Sequence, residues 1–260
     1  MLFNFTLVPL ESLAPRRHPG NPGVSWFDLT LGEYWLRAGD NALLEYGEQA
    51  TGASRHCTYP VARLHEDFLG MLPYILEPVP PSLVHHLSGA GAAQWWEAYE
   101  AWYDVNLGRM HDTPLQQIDS DAHRLLYGRL LDTSYLAPLT RIAMWSDEET
   151  VHFDWDNRAG VLNGEPAWAA QYGAFQMPRR EFLAEVQSFH TRLAEQMEAR
   201  IERVLGGALP PGFLIDLEAL VSEQEARADA LHDALALHAD TDWHAVARAI
   251  AAILDARQAA

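Results

Sequence analysis

The sequence predicts an α+β fold, with two antiparallel β-hairpin or meander regions and helices following each. Three observations carry this. Aromatic-rich stretches near Trp26–Leu36 and Met144–Asp156 alternate apolar and polar side chains, the period of a half-buried strand. Residues 58–131 and 177–257 instead repeat their apolar side chains at helical spacing. The strand-then-helix order occurs twice, which allows one mixed sheet packed by long helices. No polar linker marks residues 132–140, so one integrated unit over 1–260 is expected, the alternative being halves at 1–135 and 136–260.

Taken in order, Leu2 to Val8 sets Phe3, Phe5 and Leu7 against Asn4 and Thr6, a strand pattern. The Pro/Gly/Arg-rich run Ala14 to Gly23 is a loop. A hairpin over Trp26–Leu36 would turn at Thr30-Leu31-Gly32, and Ala42 to Tyr46 adds a short strand. Thr58 then reads as an N-cap with Pro60 in the first helical turn. Val61, Leu64, Phe68, Leu69 and Leu72 make the stripe of that helix, which Pro73 ends or kinks. After the stiff run Glu77 to Pro81, Ser82 caps a short helix to Leu87. Ala92 to Val105 is a helix with Trp95, Tyr99, Trp102 and Tyr103 on one face and Trp96 at its edge. Ile118 to Leu131 forms another.

The second β-region pairs Arg141–Trp145 with Val151–Asp156 around Ser146 to Glu149. Asn163-Gly164 is a type I′ turn signal, and Ala167 to Phe175 reads as a third strand. Met177-Pro178 launches a long helix whose stripe is Phe182, Val186, Phe189, Leu193, Met197, Ile201 and Val204, stopped by Gly206-Gly207. Asp216 caps a helix to Leu237, and Asp240-Thr241-Asp242 caps the last, Trp243 to Arg257.

Composition narrows the function. Acids total 36 against 18 basic residues, all of them Arg, for a net charge of −18. No block is basic, which argues against a nucleic-acid groove, while an acidic surface can steer a basic protein partner. No apolar run approaches the roughly 20 residues of a membrane span. The N-terminal stretch lacks the charge and cleavage site of a signal peptide, and Cys57, the single cysteine, cannot form an internal disulfide. A cytoplasmic protein is expected, with no membrane or nucleic-acid partner, no cofactor and no metal.

Candidate site residues concentrate on the second β-region. In a strand, His152, Asp154 and Asp156 share a face with successive spacings of about 7 Å. A metal would need a third ligand from elsewhere, and a solvated face is the simpler reading. His65-Glu66-Asp67 reads as a solvated helix face, without the second His of a zinc-protease helix. His85-His86 reads as packing, and His56 beside Cys57 does not by itself orient an imidazole on the thiol. No phosphate loop, Gly-x-Ser-x-Gly elbow or Cys-x-x-Cys pair occurs. If Phe27, Leu29, Tyr34 and Leu36 face the core, Trp26 and Trp35 face outward, unless a helix covers them. The candidate partner-binding set is therefore Trp26, Trp35, Trp145, Asp154, Asp156 and Arg158.

The run Tyr59 to Leu69 continuing through Leu72-Pro73 and Leu76 to Pro80, with the Trp26 segment, resembles a family of bacterial proteins catalogued as a domain of unknown function. Trp155-Asp156-Asn157 and Thr241-Asp242-Trp243 are similar to later landmarks of that family. The resemblance spans nearly the whole chain and implies one unit, but brings no activity or catalytic residue. The functional expectation is an acidic protein-binding module, of the toxin-immunity kind, sequestering a basic partner. The alternative is a hydrolase or transferase with an acid/His site near the second β-region, on which His65, Glu66 or another acid would converge.

Overall fold

The computed structural model describes residues 1–14, 24–48 and 54–258, so most of the expected loop from Ala14 to Gly23 lies outside the described residues. The chain begins with β1 (Phe3–Leu7), α1 (Trp26–Leu29), β2 (Leu31–Ala38), β3 (Asn41–Leu43) and β4 (Cys57–Pro60). Helices α2 (Val61–Leu76), α3 (Pro81–Val84), α4 (Gly89–Asn106) and α5 (Thr113–His123) follow. The second β-region holds β5 (Ile142–Ser146), β6 (Thr150–Asp156), β7 (Val161–Leu162), β8 (Glu165–Pro166) and β9 (Tyr172–Pro178). Helices α6 (Arg179–Leu205), α7 (Leu217–Ala228), α8 (Ala230–Ala236) and α9 (Trp243–Gln258) complete it. The α+β class stands. Its strands form two principal antiparallel sheets, β1-β2-β3 with β4 also on β2 and β5-β6-β9, plus the small β7-β8 pair, rather than one mixed sheet.

The expected Trp26–Leu36 hairpin does not form. Ser25 Oγ accepts from the Asp28 N–H (3.3 Å) and the Asp28 carboxylate accepts from the Ser25 N–H (3.0 Å). This capping box winds Trp26–Leu29 into a helical turn, and only the second half becomes a strand. Gly32 sits at the start of β2 opposite Leu7, where a Cβ would lie 2.5 Å from the Thr6 carbonyl oxygen.

Thr58 is likewise not a cap; it pairs with Glu33 in β4. The first amides of α2 are satisfied from another element. The Val61 N–H donates to the Thr30 carbonyl (2.9 Å) and the Ala62 N–H to Thr30 Oγ1 (3.1 Å). A cap supplied across the fold leaves no local sequence signature. Pro73 lies inside α2, which continues to Leu76.

The expected helix Ile118–Leu131 starts earlier and stops at His123. Gly128, at φ +67°, takes the left-handed backbone that turns the chain and delivers Arg129 inward. The third strand of the second sheet is β9, displaced C-terminally from Ala167–Phe175, and it runs directly into α6. The helix from Asp216 breaks at Asp229 into α7 and α8. Asn163 and Gly164 both have positive φ and close the β7-β8 turn, as their identities require.

Two hydrophobic cores flank the second sheet. The larger holds Phe3, Phe68 and Leu72 together with Met144, Phe153, Trp155 and the whole α6 stripe. Phe189 of α6 stacks on Phe3 at 4.9 Å, and Phe68 meets Phe3 edge-on at 4.5 Å. The smaller core packs Trp95, Tyr99 and Trp102 of α4 and Val246, Ile250 and Ile253 of α9 against Ala143 and Trp145, on the opposite face of β5. Among the described residues, no helix is long and apolar enough to cross a membrane.

His65, expected on a solvated face, is buried where α2 meets α6. Its Nε2 lies 3.0 Å from His190 Nδ1, and His190 Nε2 lies 3.3 Å from the Ala228 carbonyl oxygen. That carbonyl must accept, so His190 Nδ1 accepts in turn from His65 Nε2–H, leaving His65 Nδ1 without a partner among the described residues. Burial first, then His190 and Arg227, push His65 down to about 3 from the usual 6.5. The unfolded chain therefore binds a proton that the fold refuses. The stability His65 contributes is intact above pH 6.5 and is lost as pH falls towards 3, by up to about 1.4 kcal/mol per pH unit. His86, down to about 4, acts in the same direction. Asp67, raised to about 6 by burial, opposes them between about 4 and 6. Urea titrations at pH 7 and pH 5 should show a smaller loss in His65→Gln than in the parent; equal losses would assign the acid sensitivity elsewhere.

Candidate functional site: an acidic aromatic cleft

Strand alternation in β6 buries Val151, Phe153 and Trp155 in the larger core and turns Asp154 and Asp156 to the other face. Gly173 of β9, opposite Trp155, makes this possible, since a Cβ there would lie 2.5 Å from the indole. Helix α4 docks against the acidic face. Its first residue, Gly89, has φ +56° and donates its N–H to the Asp154 carboxylate at 3.2 Å. Gly91 lets the helix start pass His85, whose carbonyl oxygen a Cβ would meet at 2.0 Å.

Between α4 and the sheet lies a cleft of about 380 Å³. Positions 89, 92, 93, 96, 97 and 100 of α4 form one wall, one face of the helix. Arg141, Asp154, Asp156, Arg158 and Tyr172 form the other. Arg158 grips Asp156 with two hydrogen bonds (2.9 and 2.6 Å) and lies 4.7 Å over the Tyr172 ring. That guanidinium, by its hydrogen bonds, holds the Asp156 carboxyl below the usual range. Asp154 is buried and pushed upward by desolvation, against the Gly89 N–H and Arg141, whose nearest nitrogen is 3.8 Å away. Glu97 pairs with Arg257 across the rim at 3.0 Å, while Glu100 makes no ion pair among the described residues. With Arg257 on the rim, four carboxylates face three guanidinium groups, and the excess acid is Glu100, so the cleft is acidic.

The aromatic content of this cleft is distinctive. Trp96 is 38% exposed and is the one exposed tryptophan among the described residues; Tyr172 is 50% exposed. Trp96 also lines a second cavity of about 240 Å³ with Trp95, Tyr99, Leu126 and Tyr127.

Of the six residues singled out in the sequence, the structure brings together Asp154, Asp156 and Arg158. Trp26 is 2% exposed, because α7 covers that side of α1. Its indole N–H donates to Gln224 Oε1 at 2.6 Å, and Arg227 lies 4.1 Å over the ring. Trp145 is 3% exposed, because β5 is covered on both faces. Neither indole is an accessible anchor. Trp35 is part-exposed but belongs to a separate cavity, where it stacks on His56 at 3.9 Å beside Glu45 and Arg55.

The remaining candidates disperse. His152 pairs with Asp147 at 3.0 Å, and Glu66 with Arg227 at 2.6 Å. His85 and His86 pack against each other at 3.6 Å, with His86 edge-on to Trp95. Cys57 is buried and its thiol pushed up to about 12 by desolvation. Among the described residues, no three His, Cys, Asp or Glu side chains are grouped to hold a metal ion. Sequence reasoning missed Glu97, Glu100, Arg141 and Tyr172. Trp96, on the edge of the α4 apolar face, carried the one available signal.

Fold and cleft together define an α+β protein with an acidic, aromatic-walled cleft between α4 and β6. The chain belongs to DUF5984, a family of unknown function whose model matches residues 2–249. Comparisons with curated proteins and with solved structures gave no match.

Proposed function

We propose that the protein is a cytoplasmic protein-binding module that takes a basic side chain of a partner into the cleft between α4 and β6. The observation that carries this is the exposed Trp96 beside the Asp154, Asp156 and Glu100 carboxylates. Aromatic anchors in a desolvated pocket supply most of the binding energy at protein interfaces. Acids around them speed and select a cationic partner, and Glu100 makes no ion pair among the described residues. The net charge of −18 extends that attraction over the whole surface. A basic toxin held by its immunity protein is the biological setting this chemistry suits.

The experiment is capture of a partner by the tagged protein, followed by affinity and rate measurements on the recovered pair. Trp96→Ala should weaken binding by about 2 kcal/mol or more, roughly 30-fold. Glu100→Gln should slow association and flatten its dependence on salt. Binding indifferent to both substitutions would place the interface elsewhere.

A hydrolase or transferase reading draws support from one feature. Two carboxyls in the cleft are pushed in opposite directions, Asp154 upward and Asp156 downward, the division of labour of an acid and a base. Glu97 and Glu100, not His65 or Glu66, are the acids that converge there. Turnover of chromogenic esters, phosphates or glycosides that disappears in Asp154→Asn would favour this reading over simple binding.

A further inference from the structure

We infer that the partner segment carries an aromatic or large apolar side chain adjacent to its basic one, the two being received on either side of Trp96. This rests on the basic-partner reading of the cleft. Trp96 is common to both cavities, so an occupant of one lies against the same indole as an occupant of the other.

The two cavities differ in chemistry. The second is walled by Trp95, Trp96, Tyr99, Leu126 and Tyr127. Its most obvious hydrogen-bonding group is already engaged. The Tyr99 hydroxyl donates to Asp119 at 2.6 Å and sits 3.0 Å from His123 Nδ1, which must then donate to the phenol oxygen. An entering group meets the side chains of Trp95, Trp96, Tyr99 and Tyr127 together with Leu126 and Leu130, the His123 imidazole also standing in the lining. At about 240 Å³ the space exceeds the roughly 150 Å³ that accommodates benzene in a protein interior. One aromatic side chain fits. The neighbouring cleft offers carboxylates, with Glu100 unclaimed by any described cation. Two adjacent sites of opposite character on one helix select a basic–aromatic pair more sharply than either site alone, because occupying both adds their free energies while orienting the ligand once.

Three small probes separate the contributions: N-benzoyl-argininamide, N-acetyl-argininamide and N-benzoylglycinamide. Titration calorimetry of the full chain should find the first binding at least tenfold more tightly than either of the others. Tyr127→Ala, at an exposed position, should bring N-benzoyl-argininamide down to the level of N-acetyl-argininamide without changing the latter. Glu100→Gln should weaken both arginine derivatives and spare N-benzoylglycinamide. If the benzoyl group adds nothing while Glu100→Gln still weakens both arginine derivatives, the paired-site inference is overturned and the acidic cleft stands. If none of the three binds, or Glu100→Gln has no effect on any, both are overturned.

Discussion

Glu77→Ala should destabilise the protein by about 3–5 kcal/mol, because it strands a buried guanidinium. The Arg129 side chain is fully buried and its Nη2 donates to the Glu77 carboxylate at 2.6 Å. The same carboxylate accepts from the Thr241 N–H at 2.8 Å and its hydroxyl at 2.6 Å. Arg129 also lies 4.8 Å over the Trp243 ring, so one carboxylate ties the end of α2, the turn before β5 and the start of α9. Removing it leaves a charge with no counterion and two donors unsatisfied. At roughly 2–4 °C per kcal/mol for a chain of this size, the melting temperature should drop by about 10 °C. The double variant Glu77→Leu/Arg129→Met should lose less than Glu77→Ala, since an apolar pair carries no stranded charge. Urea unfolding decides it. A loss below about 1 kcal/mol in the single variant would mean that water reaches Arg129.

Trp155→Ala should cost about 3–5 kcal/mol, by lost transfer energy and the cavity left behind. Trp155 is wholly buried on the core side of β6, packed against Gly173. Its indole N–H has no partner among the described residues, so Trp155→Phe, which removes that donor and keeps a ring, should cost much less than the alanine change. The functional consequence is on the other face. Asp154 and Asp156 take their positions from β6, so Trp155→Ala should loosen the cleft as it destabilises the fold. Near-equal losses for Phe and Ala would show that the ring contributes little packing.

How much was legible in the sequence follows from where each structural cause lies. The α6 stripe was readable because one helix carries its whole pattern, and every residue of it is buried. The β5-β6 pairing was readable because alternation and turn are both local. The Trp26 segment misled because a Ser25–Asp28 capping box overrode its alternation. The start of α2 was hidden for a different reason, its amides being capped by Thr30 from outside the helix.

The site was half legible by the same logic. Asp154, Asp156 and Arg158 lie on one short stretch of chain and were found together. Trp96, Glu97 and Glu100 reach them only through the docking of α4, whose Trp95, Tyr99 and Trp102 pack on Ala143 and Trp145 and whose Gly89 N–H donates to the Asp154 carboxylate. No spacing in the sequence encodes that contact. Trp26 and Trp145 were lost as anchors for the converse reason: alternation tells which side of a strand or turn a ring takes, but not whether α7 or the α4–α9 core covers that side.

The most direct test of the cleft as the recognition surface is photocross-linking from two exposed alanines, Ala93 on its wall and Ala251 on α9. With a photoreactive residue at each in turn, the captured partner should cross-link from Ala93 through a segment bearing arginine or lysine, and not from Ala251. Cross-links confined to Ala251, or from Ala93 to an acidic segment, would contradict the account.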